Sequence, residues 1–447
     1  QRLLRRLSVF AGGFGLAAAS AIAGTESRRS AVGVLGSLID KSLVEVDDGA
    51  VTRYRLLETV RLYARERLVE AGEATDARTA HAAWFLDWGR DAAAEDAAGA
   101  AVRTNEEADN LRAALDWAAE VGDDVLVARL ALACGPMWVY QMRATEGLRW
   151  LEGVEAQSAD AELDLHERVG LRAYPAMLYL SRIEPAPAWA AAEAAIELDA
   201  GNGFIERVQA DQAKGQILEF VDPPAAVAWF DRLRTETTGD QRATWALFRG
   251  SARMMAGDID GAIADLDEAV AELSDGHWSW GYIFRSVLYH LVGRHEEAVE
   301  DAVRAQERRA ALWMQDLCVE CALAIALAGA GELAAACAHV RIAAQLTAER
   351  YPHVPTAPGN VLAAAGVVLA LGGKPRESAR LFAGMLALAL HVRWECGAAL
   401  LRHYRRRLAV ELGEKEPIPD VAAVDADGLV AQALADLESI EAGSVSP

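Results

Sequence analysis

GDIDGAIADLDEAVAEL, residues 257–273, sets a glycine and a short polar turn ahead of a helix whose small and apolar positions recur three and four apart. The form returns as GRHEEAVEDAVRAQERR at Gly293, GELAAACAHVRIAAQL at Gly331 and GKPRESARLFAGMLAL at Gly373, at intervals of 36, 38 and 42 residues. Five positions after each glycine stands a small residue: Ala262, Ala298, Ala336 and Ser378. A tight interhelical turn followed by a closely packed helix requires this pattern. One helical hairpin leaves an apolar face exposed, and the next hairpin covers it.

Outward from these segments, GLRWLEG (147–153), APAWAAAEAAIELDAG (186–201) and DPPAAVAWFDRL (222–233) read as earlier, degenerate members, in a stretch punctuated by Pro136, Pro175, Pro185, Pro187, Pro223 and Pro224. Period and small-residue pattern resemble tetratricopeptide repeats. The expectation is about six or seven helical pairs between residues 76 and 425. Residues 126–425 are assigned to the repeat domain, 76–125 to connecting helices or a first repeat, and 426–447 to a last helix and flexible tail. NEEADNLRAALDWAAEVGD (105–123) places Ala108, Leu111, Ala114, Leu115 and Ala118 on one apolar face, and Gly122 ends it.

Residues 1–75 have a different grammar. LLRRLSVF turns Leu3, Leu4, Leu7 and Phe10 inward, GLAAASAIA makes a second helix, and SAVGVLGSLIDKS makes a third with Val34, Leu35, Leu38 and Ile39 inward. SLVEV and VTRYRLL alternate as two antiparallel strands about the turn at Asp47, Asp48 and Gly49. Three helices followed by a hairpin make a winged helix. A helix then follows with Leu57, Val60, Ala64 and Leu68 as its apolar stripe. A winged helix invites a DNA reading, yet its third helix offers Lys41 alone, beside Asp40. Direct DNA binding is therefore not expected, although Arg28, Arg29, Arg53 and Arg55 keep that reading under test.

RLSVFAGGFGLAAASAIAG, VLGSLIDKSLVEVDD, RYRLLETVRLYARERLVEAGE and HAAWFLDWGR, all within residues 1–120, resemble the region after the nucleotide-binding domain in actinobacterial regulators of the STAND ATPase class. These include AfsR/LuxR-type regulators and relatives carrying a nucleotide cyclase domain. At lower specificity, GKPRESARLFAGMLALAL, LLRHYRRRLAVELGE and DADGLVAQALADLE are similar to the close of the helical region in the same regulators. The resemblance implies a winged helix that packs on a nucleotide-binding module and senses its state, while helical repeats receive a signal. ATP or ADP would then enter only through that module, because no GxxxxGK[ST] loop occurs in this sequence and GGKPRES (372–378) reads as an interhelical turn. LuxR-type members continue into a DNA-binding helix-turn-helix. The sequence opens without Met, and the expectation is a portion of a longer protein.

The 447 residues carry a formal charge of -22, which opposes a generally adhesive nucleic-acid surface. Five scattered cysteines fit a reducing compartment, so a cytoplasmic location is expected. NVLAAAGVVLALGG (360–373) is too short to span a membrane, and GGFG interrupts the apolar opening where a secretory signal would need continuity, so neither is expected.

The sharpest enzymatic temptation is Cys318 and Cys321 with Cys337 and His339, a set of zinc-ligand types. They fall on uninterrupted helix and read as small packed side chains. His277, Trp278 and Trp280, and Trp394 with Glu395 and Cys396, read as core before ligand groove, as do His81, Trp84, Phe85 and Trp88. Arg402, His403, Arg405, Arg406 and Arg407 form the strongest basic cluster, on a helix whose Leu401, Tyr404, Leu408 and Leu412 face inward. No catalytic, cofactor-binding or metal-binding residue is assigned, and no enzyme activity is expected of this chain.

The sequence thus reads as mainly α: a small winged helix followed by an elongated α-helical, tetratricopeptide-like repeat domain. The expected function is regulatory, with a protein or small-molecule effector on the repeats and a nucleotide-binding domain as intramolecular partner in the parent. The alternatives are a freestanding repeat scaffold and a winged-helix DNA-binding repressor.

Overall fold

The computed structural model describes residues 1–23, 28–48, 52–93, 97–157, 163–204, 206–273, 279–308, 314–354, 356–387, 395–414, 418 and 425–444. The chain is mainly α, a winged helix followed by tetratricopeptide-like helical repeats. It divides into two compact units, residues 1–178 with 194–208 and residues 179–193 with 209–447.

The first unit opens with α1 (Arg2–Leu7), α2 (Leu16–Ala23), α3 (Arg28–Ile39), β1 (Val44–Asp48), β2 (Thr52–Leu56) and α4 (Glu58–Glu70). The strands pair antiparallel with Val44 opposite Leu56, and Phe14 adds a bridge to Tyr54. Leu3, Leu7, Phe10, Ile22, Leu35, Leu38, Val44 and Leu56 make the core, as their spacing requires. Leu4 and Ile39, expected inward, are half-buried, and two further positions are exposed. Val34 is 39% exposed, on the outer side of α3. Leu57 is the N-cap residue of α4 and 37% exposed, so the buried stripe of α4 reduces to Ala64 and Leu68 with Val60 half-buried.

Next come α5 (Ala74–Ala93), α6 (Ala97–Glu106), α7 (Ala108–Val121), α8 (Asp124–Tyr140) and α9 (Ala144–Gln157). Gly122 closes α7 in the left-handed region at φ 72, and the five apolar residues read on its face are buried. α10 (Leu165–Ser181) and α11 (Pro185–Asp199) follow. Pro136 lies inside α8 and Pro175 inside α10, whereas Pro185 opens α11. The first two prolines therefore punctuate no element; each is buried inside a continuing helix, beside closely packed neighbours such as Tyr174 against Gly135.

The second unit holds pairs α12 (Arg207–Val221) with α13 (Pro223–Glu236), α14 (Gly239–Ala256) with α15 (Ile259–Glu272) and α16 (Trp280–Leu291) with α17 (His295–Glu307). It continues with α18 (Gln315–Gly329) and α19 (Leu333–Arg350), α20 (Ala357–Leu371) and α21 (Pro375–Ala387), then α22 (Glu395–Leu412) and α23 (Ala426–Ser444). Gly257, Gly293, Gly331 and Gly373 all have positive φ, between 75 and 88, a region where a Cβ would be strained. Each ends the first helix of its pair. At the first of these turns Asp258 then caps α15 by accepting from Gly261 N at 3.0 Å. The small residues five positions on are fully buried, at 0% exposure for Ala262, Ala298, Ala336 and Ser378. The repeat reading thus rests on two physical needs in each segment, a left-handed turn and a close approach. The segments singled out earlier in the chain fall on α9, α11 and α13.

α23 packs on α19, α20 and α21. α22 touches α20 and α21, as the next member of the array would, and also α14 and α16, which lie far earlier.

Candidate functional site: the winged-helix face and the repeat ladder

In the first unit the winged helix is clasped to the helices behind it. Asn110 on α7 accepts from the backbone N–H of Ala11 (3.0 Å) and Gly12 (3.2 Å) and donates to the Gly13 carbonyl (2.8 Å) and to Glu107 (2.7 Å). Arg53 on β2 donates to Glu107 at 2.7 Å and to the Gly13 carbonyl at 2.8 Å. The bond to Glu107 raises the Arg53 pKa above its ordinary value. The glycine break of GGFG is therefore a turn read by one asparagine, a role the sequence alone does not reveal because Asn110 sits within an otherwise apolar helical face.

Beside the clasp, His81 lies between Phe10 and Phe85, with ring centroids 5.3 and 4.7 Å away. His81 is 2% exposed, which agrees with a packing role. Burial lowers its pKa to about 4, with Asn110 opposing and Arg78 adding to the shift. An unfolded histidine takes its proton near pH 6.5, whereas the native ring stays neutral down to about pH 4. Stability supplied by the neutral ring is complete above pH 6.5 and is lost as pH falls through that window, by about 3 kcal/mol. Urea midpoints of the wild type and His81→Gln compared from pH 7 to 4 should converge on acidification; a constant difference would refute the assignment.

Among the described residues of the winged helix several arginines are paired, while Lys41, Arg55 and Arg65 are exposed. Arg53 is committed to the clasp, Arg61 pairs with Glu58 at 2.7 Å and Arg67 with Glu70 at 2.5 Å. Arg78, at the rim of a cleft shared with Arg61, Arg65 and Asp116, pairs with Glu120 at 2.6 Å. Arg55 is exposed on β2 directly opposite Glu45. Large apolar side chains stand out beside them: Val32 at 47% exposure on α3, and Leu62, Tyr63 and Val69 at 50, 58 and 62% on α4. The side chains of Arg28 and Arg29 lie outside the described residues.

In the second unit a charged ladder links successive pairs. Arg249 on α14 holds Asp265 on α15 through Nε at 3.0 Å and Nη2 at 2.6 Å, and also bonds Asp231 on α13. Arg285 on α16 repeats this with Asp301 on α17, at 2.6 and 2.9 Å, and Asp267 on α15, at 2.6 Å. Each arginine thus ties its own pair to the preceding one, with partners 16 residues ahead and 18 behind. Read as sequence, Asp265 and Asp267 are two among many carboxylates. The signal that finds them is the recurrence of Arg and Asp at the repeat interval.

The ladder changes at the next pair, where Leu323 stands at the arginine's place and His339 on α19 at the aspartate's, and His339 bonds Glu320 of α18 at 2.6 Å instead. Cys318 accepts from Asn360 at 3.3 Å, and burial raises the Cys321 pKa. α18 begins after Met314, which has φ 56. Among the described residues, the cluster whose ligand atoms lie within 4.8 Å of one another is Asp164, His166 and Glu167. Asp164 and Glu167 there exchange backbone bonds at 3.1 Å each, a capping box at the start of α10, and Glu167 also holds Arg129 at 2.7 Å. His277, Trp278 and Trp394 lie outside the described residues.

A family profile described as a winged helix-turn-helix domain matches residues 1–69. A Mycobacterium bovis protein, provisionally named an HTH-type transcriptional regulator, is 40% identical over 160 residues, covering 34% of this chain and 18% of that protein. A Mycobacterium tuberculosis protein of the same description matches over the same extent. An uncharacterized protein of Mycobacterium bovis is 45% identical over 76 residues, 16% of this chain and 19% of its own. The matches thus span about a fifth of the length of these relatives. Among solved structures, a Pyrococcus horikoshii STAND protein with a tetratricopeptide repeat sensor aligns with TM-score 0.43 and 14% identity over 92% of this chain and 64% of that one. The Cut9–Hcn1 assembly of APC/C aligns with TM-score 0.42 and 13% identity over 93% and 83%. No described helix is long and apolar enough to cross a membrane.

Proposed function

We propose that this chain is the regulatory part of a STAND-type regulator, in which the helical repeats receive a protein or small-molecule signal and the winged helix passes it to a nucleotide-binding domain. The observation that carries this is the winged helix itself. Its Arg53, Arg61 and Arg67 are paired with carboxylates, while Val32, Leu62, Tyr63 and Val69 face outward. Such a surface suits a protein partner better than a phosphate backbone. The clasp at Asn110 ties that surface to α7, giving a path by which strain in the helical region could reorient it. ATP or ADP belongs to the partner domain in this reading, and the chain itself is not an enzyme.

The test is calorimetric titration of the full chain with the separately expressed nucleotide-binding domain of its parent reading frame, loaded with ATP or with ADP. The expected result is saturable binding that differs at least tenfold between the two nucleotides and weakens when Leu62 and Tyr63 are both changed to serine. Equal affinity in both states, or none, overturns the reading. A complex with duplex DNA whose affinity falls steeply with salt would favour the repressor instead.

A further inference from the structure

α22 follows the last pair in sequence and touches α20 and α21, as the next member of the array would. It reaches beyond them to α14 and α16, so that it contacts α14, α16 and α20 together. These three are first helices of their pairs, and in stacked helical hairpins one row of helices lines the face used for binding. α22 lies across that row.

Its seating has the form of a bound helical ligand. Leu400, Tyr404 and Leu408, at i, i+4 and i+8, are 0, 1 and 0% exposed. Tyr404 Oη and His290 Nε2 at the end of α16 share a hydrogen bond of 3.0 Å, and the tyrosine ring stacks on Phe382 of α21 at 5.8 Å. Arg402 donates to the Met254 carbonyl at 3.0 Å, at the C-terminal end of α14, where a cation meets the negative end of the helix dipole. One helix is thus anchored on three pairs at once. The same helix crowds like charge: burial and Arg406 lower the pKa of Arg402, and burial, Arg407 and Arg406 lower that of His403. Its last turn is open to solvent, with Val410 83% exposed. Strong anchors offset by self-repulsion make a contact suited to exchange.

We infer that α22 is a built-in occupant of a helix-binding groove on the repeats, and that the groove's partner is a basic amphipathic helix presenting aliphatic, tyrosine and aliphatic side chains at i, i+4 and i+8, which binds by displacing it. The inference rests on the repeats being the receiving element and names the kind of signal they take. Tyr404 is the latch, and the array stays folded when it opens.

The probe is a fluorescein-labelled peptide with the sequence of residues 395–412, titrated into the full chain. The Tyr404→Ala chain, whose own helix is weakened, should bind it at least tenfold tighter than the wild type, and a peptide carrying the same change should bind neither. Hydrogen exchange on the wild type supplies an independent reading: α22 amides should exchange at least tenfold faster than those of α18 and α20. A Tyr404→Ala chain that keeps wild-type protection in α18 and α20 yet gains no affinity overturns the inference. Should that variant unfold, α22 amides in the wild type that exchange only together with the array overturn it equally. Neither readout involves a nucleotide-binding domain, so a failure here is separable from failure of the nucleotide-dependent titration.

Discussion

Replacing Arg285 with methionine should destabilise the second unit by about 3–5 kcal/mol, because it leaves a buried carboxylate without its main partner. Asp301 is 1% exposed and receives two bonds from Arg285, at 2.6 and 2.9 Å. Its remaining described partner is Arg304 at 3.2 Å, whose side chain is 49% exposed and so contributes little. Burial opposes the charge on Arg285, but the bonds to Asp301 and Asp267 more than offset it and raise its pKa. The measurement is the urea midpoint followed by far-ultraviolet circular dichroism. Pairing the change with Asp301→Leu should recover most of the loss, since two apolar groups of similar volume need no partners. If the single variant were as stable as the wild type, the ladder would be ornamental, and the coupling of pair to pair would rest on apolar packing alone.

Phe230→Ala should cost a similar amount, about 3–5 kcal/mol, through the cavity it leaves. The ring is fully buried, at 0% exposure, and lies flat beside Trp245 at 6.0 Å and Phe248 at 5.6 Å on α14. Its other side meets Gly215 of α12 so closely that a Cβ there would stand 2.1 Å from the ring's Cζ. One aromatic therefore joins three helices, and the glycine makes room for it. Gly215→Ala should destabilise by about 1–3 kcal/mol through overpacking. Combining it with Phe230→Leu should give less than the sum of the two single effects, because each change supplies part of what the other lacks. Additive losses in thermal or urea unfolding would mean that the contact is looser than this geometry.

The outcome for the basic cluster at 402–407 shows how local reading and tertiary structure divide the work. Sequence periodicity placed Leu401, Tyr404, Leu408 and Leu412 inward; the first three are buried and Leu412 is half-buried. What they are buried against is another matter. Periodicity treats every helix after the last turn glycine as one more member of the stack, so it has no means of showing that α22 also reaches back to α14 and α16. The same limit applies at the other end. The helix holding Ala108 to Ala118 was legible from spacing, whereas Asn110, buried on that same apolar face, holds the turn of the winged helix through partners 97 to 99 residues away.

The sequence by itself determined the two grammars of this protein: three helices and a hairpin at the start, then helical pairs punctuated by glycine. It could do so because a left-handed turn, a close helix approach and an amphipathic stripe are each short-range demands, written within a few residues of where they act. Tertiary structure alone decided the Arg249 and Arg285 ladder, the clasp at Asn110 and Glu107, the burial of His81 between Phe10 and Phe85, and the lie of α22 across α14, α16 and α20. Those features depend on which surfaces meet. A charged or polar side chain carries the same local signature whether it faces water or a partner brought in from far along the chain, and only packing tells the two apart.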